Sequence, residues 1–306
     1  ALAICVVFLV TMSGVISAQP QIWLVDESNP NVIPSEIEQT EFKAVYEGIM
    51  DIGISEYGEL IDPAGTGLEY PEGVEHLAIG GWWDGYTVVY RTASGDNIKY
   101  AVYSERSGIV PVSYNEIENT AEKVIVEVTT KTDDNNVKIV QTFTMFKDKK
   151  WVTVDIEIIN TGKEALTDVI FKRFAEFDAD SDCTDDYVDY DITRNLGFCW
   201  DVHYVGLASI EIPVAKHFSL DIVGSAWREF STRETTDQDP LTLPAGPGEQ
   251  WVLQAWELGD IAPGESKRLL LAYAAGDSET DLKSQIDEAL GVLQPKVTVS
   301  TDKFKY

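Results

Sequence analysis

One acidic stretch holds the side chains best suited to bind a cation. Between residues 176 and 191, aspartates alternate along the chain and a further carboxylate follows four residues later. Ca²⁺ takes about six to eight hard oxygen ligands, and carboxylates at this spacing can turn toward one centre. The pattern predicts a calcium site, with a solvated acidic loop as the alternative explanation. The predicted ligands are Asp178, Asp180, Asp182 and Asp186.

Two adjacent tryptophans offer a second kind of chemistry. Trp82 and Trp83 lie between glycines, and an exposed indole can stack on a sugar ring. Because neighbouring residues of a strand face opposite sides, we expect one of the two in the core and one near the surface. We therefore predict a ligand-binding role for this pair. Trp151, Trp251 and Trp256 lie in strand-like patterns that indicate core positions.

The cysteines predict one disulfide. Cys5 lies in the apolar N-terminal run, which leaves Cys183 and Cys199 as an even pair for an oxidising compartment. A bridge between them would close a loop of about 15 residues and contribute roughly 3 kcal/mol in the chain-entropy model. Two buried thiols are the alternative.

The histidines carry no spacing that marks a site. His76, His203 and His217 form neither an HxH nor an HxxxH pattern, so a zinc site is not predicted. A serine–histidine–aspartate triad needs only spatial proximity, but no GxSxG elbow is present. Carboxylate pairs for glycoside hydrolysis are too numerous to single out. We therefore expect the chain not to be an enzyme.

The charge balance excludes several classes of partner. The chain has 52 Asp and Glu residues against 23 Lys and Arg residues, a formal net charge of −29. Such a surface repels phosphate backbones and anionic lipids, so we predict no nucleic-acid partner and no membrane contact after signal removal. It suits a soluble exported protein that binds divalent cations.

Residues 1–18 form an uncharged apolar run that ends in small residues before Pro20. This pattern is typical of an export signal and predicts a secreted or cell-surface protein. A membrane anchor fits less well, because spanning needs about 20 apolar residues with basic flanks. A pilin-like helix that packs a filament core is the second alternative, although Pro20 would end it early.

From about residue 51 the sequence consists of runs rich in β-branched and aromatic residues, which indicate strands. Residues 137–146 and 151–159 form the clearest pair, joined by a charged turn at 147–150. In the second run apolar residues alternate with polar ones, so one face of that strand is expected to be buried. Further strands are predicted at 86–91, 98–103, 123–130, 166–171, 198–207, 217–223, 251–257 and 266–274.

These patterns predict an all-β fold, a large antiparallel two-sheet sandwich of the supersandwich type. An apolar N-terminal helix and one short C-terminal helix would flank it. In the latter, Ser278 or Thr280 can cap a run whose apolar face is formed by Leu282, Ile286, Leu290 and Leu293. The predicted organisation is a signal peptide or apolar helix at 1–18, a linker at 19–50, the sandwich at 51–275, a helix and linker at 276–294, and the first strand of a truncated next domain at 295–306.

Three segments carry a family resemblance: residues 61–73 with 80–85, residues 177–191 with 194–198, and residues 259–271. They resemble the opening, the acidic loop and the closing strand of secreted bacterial and archaeal β-supersandwich modules, of the galactose-mutarotase-like and glycosidase-associated type. Residues 297–306 resemble the first strand of an immunoglobulin-like repeat. No catalytic motif of a mutarotase or glycosidase carries over to this sequence.

The expected function is that of a non-catalytic structural or ligand-binding module within a longer secreted or cell-surface protein. Calcium would lock a loop, and the partners would be further domains of the same chain, cell-surface glycans or neighbouring subunits. A pilin-like filament subunit and an accessory domain of a secreted peptidase or glycoside hydrolase are the alternatives.

Overall fold

The computed structural model describes residues 45–61, 66–77, 84–102, 105–181, 185–210, 216–220, 225–235 and 242–293. Strands dominate these ranges and pair in antiparallel fashion into a sandwich, which confirms the predicted all-β fold. The described part of the chain contains no helix that is both long and apolar enough to cross a membrane.

The described strands and helices are numbered in chain order. The first nine strands are β1 (Val45–Tyr46), β2 (Asp51–Gly53), β3 (Leu68–Glu69), β4 (Asp84–Thr92), β5 (Gly95–Val102), β6 (Glu105–Ser107), β7 (Ile109–Asn119), β8 (Lys123–Thr132) and β9 (Val137–Phe146). They are followed by β10 (Trp151–Asn160), β11 (Leu166–Phe177), β12 (Tyr187–Asp191), β13 (Leu196–Trp200), β14 (Tyr204–Ser209), β15 (Lys216–Leu220), α1 (Ser225–Ser231), β16 (Gln250–Ile261), β17 (Ser266–Gly276) and α2 (Glu279–Leu293).

Two large sheets form the layers of the sandwich. The larger has eight strands in the order β12-β13-β14-β17-β10-β9-β8-β7, and the other has six in the order β15-β16-β11-β4-β5-β6. A small sheet of β1, β2 and β3 adds its apolar side chains to the same core. β10 and β17 belong to the eight-stranded sheet, whereas β11 and β16 belong to the six-stranded sheet. The chain therefore crosses between the layers from β10 to β11 and again from β16 to β17.

Strand β10 shows how the sequence pattern produces this core. Its alternating residues Val152, Val154, Ile156 and Ile158 are all fully buried between the layers, as predicted. On the opposite face Glu157 is exposed, whereas Thr153 is buried because α2 contacts this end of the strand. The polar face of β10 is therefore exposed to solvent over only part of its length.

Helix α2 begins where the sequence predicted a cap. The hydroxyl of Ser278 accepts the backbone N–H of Asp281 at 3.2 Å, and its carbonyl accepts the N–H of Leu282 at 2.9 Å. Leu282 and Ile286 are buried against the outer face of the eight-stranded sheet. Each such side chain contributes about 1.5–3 kcal/mol when fully buried.

A buried polar network joins the two layers through four strands. Arg173 of β11 donates to the carboxylate of Asp84 of β4, with Nε 3.2 Å from Oδ2 and a second bond from Nη2 to Oδ1. The hydroxyl of Tyr273 on β17 donates to Asp84 at 2.5 Å, and Gln141 on β9 accepts from Arg173 at 3.0 Å. Burial raises the pKa of Asp84, although Arg173, Tyr273 and the N–H of Leu60 all stabilise its carboxylate.

Several predictions need correction or lie outside the described residues. The single strand predicted at 198–207 is instead the hairpin of β13 and β14, broken at residues 201–203. β1, which falls within the predicted linker, pairs with β2. The apolar segment 1–18 and the terminal strand 295–306 lie outside the described residues, so the predictions made for them stay predictions.

Candidate active site

The turn between β13 and β14 presents a histidine held by a carboxylate. His203 donates from Nδ1 to Oδ1 of Asp180, and Oδ2 of Asp180 accepts the backbone N–H groups of Val202 and His203 at 2.7 Å each. This arrangement leaves Nε2 as the basic nitrogen of the ring. The side chain of His203 is 22% exposed, so the ring is open to solvent.

Asp180 reaches His203 because the backbone adopts an uncommon conformation there. It lies in the 3-10 turn Ala179–Ser181, and both Asp180 and Ser181 have positive φ, at 61° and 67°. Non-glycine residues in this region cost about 1–3 kcal/mol each, and they persist where the surroundings over-determine them. Here the N–H of Asp178 donates to the carbonyl of His76 at 3.0 Å, and Ser181 exchanges hydrogen bonds with the backbone of Glu75 at 3.0 and 3.1 Å.

A second histidine supports the turn from the inside. His76 is fully buried; its Nε2–H donates to the carbonyl of Tyr70, and its Nδ1 accepts the N–H of Asp180 at 3.2 Å. Burial lowers the pKa of His76, which matches a neutral ring with one donor and one acceptor. The rings of His76 and His203 lie 6.4 Å apart. His76 therefore fixes the backbone that carries Asp180.

Electrostatics keep the carboxylate of Asp180 ionised. Burial by itself would raise its pKa, but the hydrogen bonds from the His203 ring and from the N–H groups of His203 and Val202 hold the pKa below its usual range. This ionised partner at Nδ1 orients the His203 ring.

A tyrosine and a lysine complete the surroundings of His203. The Tyr70 ring packs edge-on at 6.2 Å from the His203 ring, and Nζ of Lys150 lies 4.5 Å from the Tyr70 centroid. Asp277 accepts from the Tyr70 hydroxyl at 2.7 Å and from Lys150 at 2.9 Å. Although partial burial acts against it, hydrogen bonding with Asp277, Tyr70 and Asp281 raises the pKa of Lys150, so its ammonium stays charged.

These five residues, Tyr70, His76, Lys150, Asp180 and His203, are called the His203 site below. The site places a carboxylate-oriented imidazole and a lysine ammonium, paired with Asp277 and Asp281, each against the Tyr70 ring. An imidazole of this kind can take a proton from a hydroxyl and return it. The arrangement fits general acid–base chemistry.

The predicted calcium ligands divide between two environments. Asp180 belongs to the His203 site, whereas Asp178 and Asp186 are fully buried near the thiol of Cys199. Asp182 lies outside the described residues. Within the described ranges no group of three or more His, Cys, Asp or Glu side chains is arranged to hold a metal ion. Calcium binding stays a prediction.

Of the other predicted site residues, the structure describes only Cys199. Cys199 is fully buried, and burial together with the neighbouring carboxylates of Asp186 and Asp178 raises the pKa of its thiol. Its predicted partner Cys183 and the tryptophans Trp82 and Trp83 lie outside the described residues, so the disulfide and the ligand-binding role stay predictions.

The sequence did not single out the His203 site because its members are far apart along the chain. His76 and His203 are separated by more than a hundred residues, and Asp180 was assigned to a metal. One signal in the sequence could have located the turn that carries His203. The polar residues Asp201 and His203 interrupt the apolar pattern of the strand predicted at 198–207. Only the tertiary contact with Asp180 shows that this turn faces the 3-10 turn after β11.

Comparison with known proteins supports the fold. No protein-family model matches this chain, and no curated protein matches it. A bacterial glucoamylase in complex with acarbose matches with a TM-score of 0.58 and 8% identity, over 80% of this chain and 32% of the glucoamylase. The chain thus spans about a third of that enzyme's length.

Two further solved structures are less similar. An aldose epimerase homologue from C. elegans matches with a TM-score of 0.35 and 7% identity, over 74% of this chain and 91% of the homologue. An α-galactosidase from Geobacillus stearothermophilus matches with a TM-score of 0.35 and 9% identity, over 80% of this chain and 41% of the galactosidase.

The prediction that this module is not an enzyme is wrong. The glucoamylase whose fold matches is an enzyme, so this sandwich is a fold that occurs in an enzyme. An acid–base pair needs only two side chains in contact and no sequence spacing marks it, so the absence of a motif gave no support to that prediction. The protein has an antiparallel β-sandwich whose fold is similar to that of part of the bacterial glucoamylase.

Proposed function

We propose that the chain is a carbohydrate-active enzyme domain in which His203 transfers a proton to or from a sugar hydroxyl. The observation that carries this proposal is the hydrogen bond from Nδ1 of His203 to the ionised Asp180 in a partly open site. His203 acts as the general base and acid, and Asp180 is a positioning residue. Tyr70 supplies a ring beside the reacting sugar, and Lys150 packs against that ring.

The substrate class follows from the chemistry of the surroundings. A sugar offers hydroxyls of high pKa that an imidazole activates only when it is oriented, and C–H faces that pack against rings such as Tyr70. The net charge of −29 opposes nucleotides and other phosphorylated substrates. Sandwich domains of this type occur in proteins that act on sugars, which agrees with a neutral carbohydrate.

The first test is the interconversion of sugar anomers, because that reaction needs only an acid and a base. Polarimetry with α-D-glucose and α-D-galactose is combined with release of reducing ends from starch, using the full chain. We expect His203→Ala to reduce turnover by about 10²- to 10⁴-fold. No turnover of any of these sugars by the wild type would overturn the proposal, as would a His203→Ala variant of wild-type activity.

Asp180→Asn tests the positioning role, because the amide oxygen keeps an acceptor while the charge is lost. We expect a lower kcat with little change in KM, since the His203 ring loses the ionised partner that orients it. Asp201→Asn, in the same turn, is the matched control and should leave kcat and KM unchanged. Wild-type kcat in Asp180→Asn would contradict the assigned role.

A further inference from the structure

Three aromatic rings form a row across strands β12, β13 and β14. Tyr187 is paired in register with Trp200, and Trp200 with Tyr204. The ring centroids lie 5.6 and 5.7 Å apart, and the planes differ by only 21° and 5°. Tyr187, Trp200 and Tyr204 are called the aromatic row. Beside it, on the same face of β13, the ring of the buried Phe198 lies 5.5 Å from that of Trp200.

The aromatic row is more exposed than a structural role requires. Trp151, Trp251 and Trp256 are buried to 1% exposure or less, whereas Trp200 is half-buried. Tyr187 is 37% exposed, and Val202 in the adjoining turn is 64% exposed. Cross-strand aromatic pairs stabilise a sheet even when they are covered, so stability alone does not call for this exposure.

The row adjoins the His203 site on the same hairpin. Trp200 ends β13, Tyr204 begins β14, and His203 lies in the turn that joins them. Tyr204 also lies near the carboxylate of Glu279 at the start of α2. The surface therefore combines apolar ring surface with an acceptor for hydroxyl groups and leads to the proposed catalytic imidazole.

We propose that the aromatic row binds a neutral polysaccharide chain and directs it to the His203 site, a proposal that rests on the proposed function and names its substrate as a polymer. Sugar rings present C–H faces to aromatic surfaces and hydroxyls to carboxylates. Single-stranded nucleic acid also stacks on aromatic rows, but it needs a basic groove, and this chain carries a net charge of −29. Charge opposes anionic polysaccharides in the same way.

Affinity electrophoresis of the full chain tests the proposal. Native gels contain soluble starch, galactomannan or β-glucan, and a gel with anionic polygalacturonate serves as the charge comparison. We expect the wild type to be retarded by at least one neutral polymer and not by polygalacturonate. Tyr187→Ser and Trp200→Ala should each weaken binding by roughly three- to tenfold, the value of one aromatic contact. Trp200→Phe, which keeps a ring, should retain most of it.

Ile117→Ser is the matched control, because Ile117 is an exposed apolar residue on β7 at the opposite edge of the same sheet. It should bind like the wild type, and the far-ultraviolet circular dichroism of every variant should match. Wild-type migration that no neutral polymer retards overturns the proposal. Equal retardation of wild type, Tyr187→Ser and Trp200→Ala overturns it too. So does a retardation of the wild type by polygalacturonate that is as large as its retardation by a neutral polymer.

His203→Ala separates this inference from the proposed function. It should be retarded like the wild type, because the imidazole is not part of the aromatic row. If polymer binding fails while His203-dependent turnover of free sugars persists, the inference falls and the proposed function stands. If row-dependent binding occurs without turnover, the acid–base function falls.

Discussion

The buried pair of Asp84 and Arg173 offers a test of how burial changes the value of an ion pair. Both side chains are 0% exposed, and Asp84 also accepts from Tyr273 and from the N–H of Leu60 at 2.8 Å. In Asp84→Asn the amide keeps one oxygen, but its nitrogen faces donors, and the guanidinium of Arg173 loses its counter-charge. Breaking a buried pair in this way costs about 3–5 kcal/mol of unfolding free energy.

The chain contains a matched control in an exposed pair with the same geometry. Arg268 donates to Asp155 from both Nε, at 2.6 Å, and Nη2, but these side chains are 59% and 30% exposed. Solvent screens this pair, so Asp155→Asn should cost less than about 1 kcal/mol. The two variants thus remove the same chemical group from the same kind of bidentate pair, and they differ in burial and in the two further hydrogen bonds that the buried Asp84 accepts.

Urea unfolding followed by tryptophan fluorescence measures the difference. With an m-value of about 3 kcal/mol per molar urea, Asp84→Asn should lower the midpoint by about 1 to 1.7 M, and Asp155→Asn by less than about 0.3 M. The double variant Asp84→Leu with Arg173→Met should cost less than the sum of its single variants, by about 0.5–3 kcal/mol. Equal midpoint shifts for Asp84→Asn and Asp155→Asn would refute the reasoning that burial decides the strength of the pair.

Two further predictions concern the helices. Ser278→Ala removes the cap of α2 and should cost about 1 kcal/mol in thermal unfolding, whereas Ser284→Ala, at an exposed position of the same helix, should cost nothing; equal losses would contradict the capping role. Lys172 donates to the carbonyls of Glu229, Thr232 and Glu234 near the end of α1, and burial lowers its pKa to about 8. The pKa of a lysine in an unfolded chain is about 10.4. Between pH 8 and pH 10 the unfolded chain binds more protons at Lys172 than the native chain does. The unfolding free energy of the wild type should therefore rise with pH relative to Lys172→Met, and a constant difference across this window would contradict it.

Much of the fold was predictable because it depends on local patterns. The period-two alternation of β10, the charged turn after β9 and the serine that caps α2 all appear in the structure where the sequence predicts them. Strand β7 and the three short strands of the small sheet were not predicted. β7 has a mostly half-exposed and exposed surface and register shifts in its pairing with β8, so its apolar alternation is weak.

The site could not be predicted in the same way. The sequence by itself determined the sandwich, its acidic surface and the cluster of aspartates, because each of these depends on composition or on neighbours along the chain. Only the tertiary structure decided that Asp180 bonds to His203, since the turn after β11 and the turn after β13 belong to different sheets and meet where the two layers pack together. A carboxylate has the same sequence signature whether it binds a metal or orients an imidazole. Which donor lies within hydrogen-bond distance decides its role, and that distance is a property of the folded chain.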